Sequence, residues 1–497
     1  MRRSAAFKAS LGLLGAALIC CAFADVRITT QDPWGELRRI GVGFLTPSFL
    51  AFGELARALG QTVAFALFGV TAGASAGFVL ALVFHRRIVR WAASFLRSVH
   101  ELFWALLFMQ FLGLNALTGV LAIALPYAGT FAKVFAEILE EADPAPLRAL
   151  PEGSGRLVQL FYGRLPGVWA DFKSYTTYRV ECGLRSSAVL GFVGLPTLGF
   201  HLEAFFRAGS YSEMAALLIL FYALIGTLRS WLRPGLLILY FVGAGALLWG
   251  PIDASLANVV RFFTQDIVPY PLRAPEIAPD RRWAEVGRWL GRLLRDQALP
   301  GVAATLILSQ VAMVATGLIA LVTFPLVSRQ LIGRAGRFLG NLVMVLLRST
   351  PEYVLCYVFL QLWGPSMLPA IAALALHNGG IIGTLTGRHA DTFRLSPGAP
   401  ARRLDRYGYE ILPRVYGQFL AFLFYRWEII MRETAILGIL GVRTLGFYVD
   451  SAIAEVRFDR VVVLILMTAL LNVGVDALSR WARSRLRLGA RVAVAAA

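Results

Sequence analysis

Two charged pairs in this chain sit at the spacing that lets side chains meet on one helix face. Glu181 and Arg185 are four residues apart, and so are Glu428 and Arg432. Each pair begins about 15 residues after a Leu-Pro dipeptide, Leu165-Pro166 or Leu412-Pro413, or roughly 22 Å along a helix at about 1.5 Å per residue. In a membrane-spanning helix that is deep in lipid. Charged groups at such depth are costly, and they face either one another or a polar pathway. Two readings follow: a structural pair that locks the helix, or a pathway arginine that meets an anionic solute. Behind each pair come three glycines, Gly191, Gly194 and Gly199 in one place and Gly438, Gly441 and Gly446 in the other. Each weakens a helix by about 1 kcal/mol relative to alanine. A bend or break is expected there, serving either as a gate or cavity wall or as a site of close helix packing.

Other chemistries are excluded by what is absent. The five histidines, His85, His100, His201, His377 and His389, form no HExxH pattern. A phosphate-cradling Walker loop ends in Gly-Lys-Ser/Thr. The three lysines follow Phe7, Ala132 and Phe172, so no such loop exists. Cys20, Cys21, Cys182 and Cys356 lie in or beside apolar runs at spacings that suggest neither a disulfide framework nor a zinc site. No catalytic site, cofactor or metal is expected, and the chain is not read as an enzyme. If ATP powers it, a separate subunit must hydrolyse the ATP.

The elements that must hold the charged pairs occur twice. Residues 178–200 read YRVECGLRSSAVLGFVGLPTLGF, and residues 425–447 read YRWEIIMRETAILGILGVRTLGF. Matching positions are 247 apart, about half of the 497 residues, so one folding unit is written twice. Hydrophobic residues make up 58% of the chain, and several apolar runs are long enough to cross a bilayer core of about 30 Å. Such spans are helices, because a helix satisfies its own backbone hydrogen bonds. The net charge of +18 suggests nucleic acid at first sight. The arginines instead crowd short loops between apolar runs, the signature of retention on the cytoplasmic side. The lipid bilayer is the expected partner, and nucleic acid is not.

Residues 1–234 are read as a first repeat of six spans, and residues 235–497 as a second. Residues 1–25 resemble a cleavable signal peptide or a short anchor; the anchor is preferred, because 236–252 looks like its counterpart. Further spans are expected near 62–84, 93–112, 114–136 and 214–232, and near 302–327, 339–362, 368–385 and 461–478, together with the two central stretches. Gly69, Gly73 and Gly77 form a small-xxx-small ladder suited to close helix approach. Residues 253–299 are expected to be non-cytoplasmic and without a strong apolar period. Arginine-rich loops alternate correctly if both termini are cytoplasmic, which puts both repeats in the same orientation. The fold expected is an all-α membrane protein of about twelve transmembrane helices in two parallel six-helix repeats.

The central stretches resemble the C-terminal motif of phosphonate-type ABC importer permeases, Glu-xxx-Arg-xx-Ala-x-Leu-Gly-xx-Gly-xxx-Leu-Gly-Phe. Arg97, Glu101 and Trp104 are similar to that family's Arg-x-x-Pro-Glu-x-x-Trp segment, with His100 in place of the proline that the second half keeps as Pro351. The resemblance covers most of both halves and implies the type I importer permease fold, here as two subunits fused in tandem. It implies a multi-pass inner-membrane permease that imports a phosphonate, phosphite or related oxyanion. Its expected partners are two ABC ATPase subunits, which hold the ATP, and a periplasmic or lipid-anchored substrate-binding protein. It also implies a cytoplasmic coupling loop that docks on the ATPase. In the first half that loop is marked by Ala149, Gly153, Leu165 and Pro166, without the usual glutamate. In the second half only Leu412 and Pro413 clearly survive, with Pro400 at the glycine position. The alternatives are an importer of another small nutrient such as an amino acid, or an ion-coupled secondary transporter with parallel repeats.

Overall fold

The computed structural model describes residues 2–30, 32–49, 52–250 and 255–486; Ile252 and Asp253, at the expected border of a span and a loop, lie outside them. Among the described residues every regular element is a helix. The first half carries α1 (Arg2–Phe23), α2 (Phe52–Leu82), α3 (Arg87–Ser98), α4 (Glu101–Leu112) and α5 (Ala116–Glu140). It continues with α6 (Leu165–Val189), α7 (Leu198–Ala208) and α8 (Tyr211–Gly226). The second half carries α9 (Leu237–Leu248), α10 (Leu299–Thr323), α11 (Arg334–Ser349), α12 (Glu352–Trp363) and α13 (Met367–Ala390). After these come α14 (Leu412–Ile439), α15 (Leu445–Ala454) and α16 (Phe458–Arg485). Among the described residues six helices are long and apolar enough to cross a membrane, or up to nine spans if each of three bent pairs counts as one.

Two runs expected as single spans are sharply bent. Residues 93–112 divide into α3 and α4, which meet at 92°, and residues 339–362 divide into α11 and α12, which meet at 91°. The bend falls on His100 and on Pro351. His100 accepts a hydrogen bond from the Leu102 amide at 3.2 Å and so caps α4. Pro351 has no amide hydrogen to extend α11. Both bends fall in short polar stretches, Arg97-Ser98 with Glu101 and Arg348-Ser349-Thr350 with Glu352, but each helix pair taken together remains apolar enough to read as one span.

A third difference concerns residues 253–299. Helix Arg282–Leu293, which lies inside that segment, runs through a π turn, Leu294–Ala298, straight into α10. The same device recurs twice. π turns at Gln159–Arg164 and Arg406–Ile411 precede Leu165-Pro166 and Leu412-Pro413. Proline clashes with the carbonyl four residues back, and the wider i→i+5 turn makes room for it without stopping the helix.

The chain forms two compact units. One comprises residues 40–264. In it α2 and α5 lie in close contact along the glycine ladder: a Cβ on Gly69, Gly73 or Gly77 would lie 2.7, 2.8 or 2.4 Å from the Cβ of Ile123, Tyr127 or Phe131. Helix α9 also packs on α2, through an edge-to-face contact of Phe68 and Phe241 at 5.4 Å. The other unit comprises residues 1–39 and 265–491. There the ladder has changed sides. Ala312, Thr316 and Ala320 of α10 are fully buried, and the glycines that let the helices touch are Gly379, Gly383 and Gly387 of α13. Helix α1 packs on α10, where the Gln310 side chain donates to the Leu13 carbonyl at 3.2 Å. The Tyr416 hydroxyl of α14 also donates to Ser10 at 2.6 Å. The compact units therefore do not coincide with the sequence repeats 1–234 and 235–497. Each repeat's first helix packs with residues of the other.

Gly77→Ala should destabilise the chain by about 1–3 kcal/mol, because the added methyl overpacks against α5. Gly243→Ala, on α9 with nothing within 4 Å of the added Cβ, should be neutral. Thermal unfolding in detergent checks the contrast.

Candidate functional site

Each central stretch breaks its helix, and in the first copy the pieces before and after the break meet at 55°. α6 ends in a tight turn, Leu190–Val193, and Gly194 adopts φ +90°; its counterpart Gly441 adopts φ +94°. Glycine takes this left-handed conformation without strain. The break is tight, so that Gly191 lies against Gly199 and Gly438 against Gly446. A Cβ on Gly191 would lie 2.0 Å from the Phe200 amide nitrogen, and one on Gly199 would lie 1.9 Å from the Ala188 carbonyl oxygen. The corresponding distances are 2.3 Å for Gly438 to the Phe447 nitrogen and 2.2 Å for Gly446 to the Ala435 oxygen. The helix after the break is capped from a different helix. Thr62 of α2 accepts from the Leu198 amide at 2.9 Å, and Thr305 of α10 accepts from the Leu445 amide at 3.0 Å. All six predicted glycines lie in the two breaks, four of them in backbone-on-backbone contact.

The predicted charges occupy the straight helices before those breaks. Glu181 and Arg185 are half-buried on α6, and Glu428 and Arg432 are half-buried on α14. Arg185 also reaches the Cys182 sulfur at 3.7 Å.

Sequence reading missed a second set of groups, one helical turn or so away, where the central helix faces α5 or α13. In the second half Arg426 donates through Nε to Oδ1 of Asn378, and the Asn378 amide donates to Oε2 of Glu433 at 3.0 Å. Asn378 is fully buried and Glu433 nearly so. Beside them the Nδ1–H of His377 donates to the Thr350 carbonyl at 2.8 Å, which leaves Nε2 facing Glu352 at 3.9 Å. Ligand atoms of Glu352, His377 and Glu433 lie within 4.8 Å of one another. Two carboxylates and an imidazole nitrogen are a donor set for a divalent cation, and these three residues are the group that could hold one among the described residues.

The first half has the same node with other residues. Arg179 stands where Arg426 does, Ser186 where Glu433 does and Tyr127 where Asn378 does. The Tyr127 hydroxyl and Ser186 Oγ are 3.2 Å apart, and the Arg179 guanidinium lies 5.8 Å from the Tyr127 ring centre. Glu101 keeps an imidazole partner, but from its own neighbour: His100 Nε2 is 3.6 Å away. Arg179 and Arg426 were legible in the repeat at 247 positions. Tyr127 and Asn378 were not, because that part of the repeat is offset by 251.

The loops before α6 and α14 are more alike than their sequences suggest. Short helices Arg156–Val158 and Arg403–Asp405 lead into the two π turns, and Leu165-Pro166 and Leu412-Pro413 open the long helices. At equivalent places Leu157 and Leu404 are 67% and 83% exposed, and Tyr162 and Tyr409 are 73% and 80% exposed. The bracing differs. Ala149 and Gly153 flank a turn that lays Leu147 on Gly163. In the second half Ser396 donates from its hydroxyl and amide to Glu410 at 2.7 and 3.0 Å, and Arg414 adds a contact at 2.9 Å. The Ser396 hydroxyl chiefly holds the Glu410 carboxyl below the usual carboxylate range. The second copy of this loop is therefore a defined structure, not merely a Leu-Pro remnant.

Comparison with curated proteins identifies the family. The chain is 32% identical over 225 residues to the phosphite transport system permease protein PtxC of Stutzerimonas stutzeri, covering 43% of this chain and 82% of that protein. It belongs to the phosphonate and phosphite transport permeases. This permease is also 25% identical over 458 residues to the phosphate-import permease protein PhnE of Mycolicibacterium smegmatis, covering 86% of this chain and 84% of that one. A third relative is the putative cryptic phosphonate transport system permease protein PhnE2 of Escherichia coli K12, 31% identical over 102 residues, which are 20% of this chain and 84% of the relative. No protein-family model and no solved structure matches the permease. With its long apolar helices it is a multi-pass protein of the bacterial inner membrane and a transport component, not an enzyme.

Proposed function

We propose that this chain is the transmembrane permease of an ATP-driven importer, carrying a phosphonate- or phosphite-type oxyanion handed over by a substrate-binding protein. Its likeness to PtxC over most of that protein's length carries this reading. In the proposal both permease units lie in one polypeptide, with twelve spans in two parallel six-span repeats. Two ATPase subunits act on the cytoplasmic loops and hold the ATP, and the permease itself needs no cofactor. Nucleotide moves such a system between its states only by binding one of them better. The pairs Glu181–Arg185 and Glu428–Arg432 are proposed to brace the central helices or to face the solute, and the glycine breaks to set where those helices bend. In the uptake test the full chain is produced with the ATPase and the binding protein of a phosphonate-type importer, in cells lacking other uptake routes. Phosphite and methylphosphonate should enter only when all three are present and ATP is available. Uptake by the chain alone, driven by an ion gradient, would refute the proposal.

The exposed Leu157, Tyr162, Leu404 and Tyr409 support placing the ATPase contacts on these loops. Exposed aromatic and aliphatic anchors are each worth about 1–2 kcal/mol at such contacts. Replacing all four by serine should reduce co-purified ATPase by roughly tenfold or more, without changing the amount of permease in the membrane. Unchanged ATPase recovery would move the docking site elsewhere.

A further inference from the structure

The two polar nodes occupy the same place in a duplicated fold, yet their charges differ. In the second half Arg426 is joined through Asn378 to the carboxylate of Glu433. In the first half Ser186 takes the carboxylate position, and the Tyr127 hydroxyl, 3.2 Å from Ser186 Oγ, stands where the bridging amide does. Arg179 therefore keeps its positive charge without a carboxylate partner among the described residues. Its Nε donates to the Tyr175 hydroxyl at 2.8 Å. Its guanidinium lies 5.1, 5.8 and 5.8 Å from the ring centres of Tyr175, Tyr178 and Tyr127. Aromatic faces attract a cation but do not neutralise it. The group is half-buried, and Tyr178 beside it is exposed, so the cage opens toward the surface of its unit.

A cation on a spanning helix is costly unless it is paired or meets something charged. Were the arginine needed only to hold the fold, the neutralised arrangement of the second half would serve both repeats. We infer that Arg179 is the residue of the first repeat that contacts the transported oxyanion, while Arg426 is silenced by Glu433. The planar guanidinium presents a fork of N–H donors matched to the oxygens of a phosphonate or phosphite. Tyr175 occupies Nε, which leaves the two terminal nitrogens for the ligand. Specificity for an anion over a neutral solute then comes from this unbalanced charge. The inference rests on the transport reading above, and it adds the group that meets the substrate.

The test uses the full chain with its partner proteins and measures initial phosphite and methylphosphonate uptake, normalised to permease in the membrane. Arg179→Gln is expected to lower uptake at least tenfold. Ser186→Glu, which installs the second half's carboxylate and leaves Arg179 in place, should do the same. Ser186→Gln, of equal size and without charge, should stay within twofold of wild type. The second repeat already houses a side chain of that size at this position, so the pair separates charge from crowding. Wild-type uptake in Arg179→Gln or in Ser186→Glu, or equal losses in Ser186→Glu and Ser186→Gln, would overturn the inference while leaving the transport reading intact. Absence of uptake by the wild type would fail the transport reading, and the arginine assignment with it.

Discussion

Gly199→Ala is expected to lower stability by about 3 kcal/mol or more, at the upper end of overpacking effects. The obstacle is the Ala188 carbonyl oxygen, 1.9 Å from the added carbon. Backbone cannot rotate aside as a side chain can. Relief would require opening the helix break, which would also strain the hydrogen bond from the Leu198 amide to Thr62. Gly446→Ala should behave alike, given its 2.2 Å approach to the Ala435 oxygen. Gly194→Ala meets only side-chain atoms at 3.6 Å or more but must hold φ +90°, so a milder loss of about 1–2 kcal/mol is expected. Unfolding in detergent, followed by tryptophan fluorescence or by a thiol probe on buried Cys356, would rank the three. A Gly199→Ala protein as stable as Gly194→Ala would mean that the break is loose.

The second large effect concerns the buried charges of the second half. Arg426→Leu should destabilise by about 3–5 kcal/mol, because it removes the cation from the buried node where the Glu433 carboxylate lies close to Glu352 and His377 and accepts from the neutral Asn378 amide. The paired substitution Arg426→Leu with Glu433→Leu should recover most of that loss, since an apolar pair of similar volume needs no solvation. Residues in one hydrogen-bonded chain couple by about 0.5–3 kcal/mol, so the double variant should sit well above the sum of the singles. Strict additivity would show that Arg426 and Glu433 are independent. In the first half the comparable change, Arg179→Leu, removes a cation with no carboxylate to strand, so its effect on stability should be smaller than on uptake.

These two sites show where sequence was informative and where it was not. The glycines of the helix breaks were legible because the requirement is local: each close approach lies within a dozen residues and is written twice. The long spans were legible from apolar length alone. The bends at His100 and Pro351 were not, since each bent pair taken together remains apolar enough to read as one span. The Arg426–Asn378–Glu433 chain was also hidden. It joins two helices 48 residues apart, and its middle residue has no chemically similar counterpart, tyrosine standing opposite asparagine. The glycine ladder was read correctly on α2 but not on α13, because the same contact can be made from either partner. Nothing in the apolar run of α1 says which helix it will meet.

That last pairing has a consequence for biosynthesis. Leu13 and its bonding partner Gln310 are 297 residues apart. At a synthesis rate of about 5–20 residues per second, roughly 15–60 s pass between them. Helix α1 therefore waits that long in lipid without its eventual neighbour. Insertion machinery that shields single helices should matter more for α1 than for a helix whose partner follows it closely in the chain.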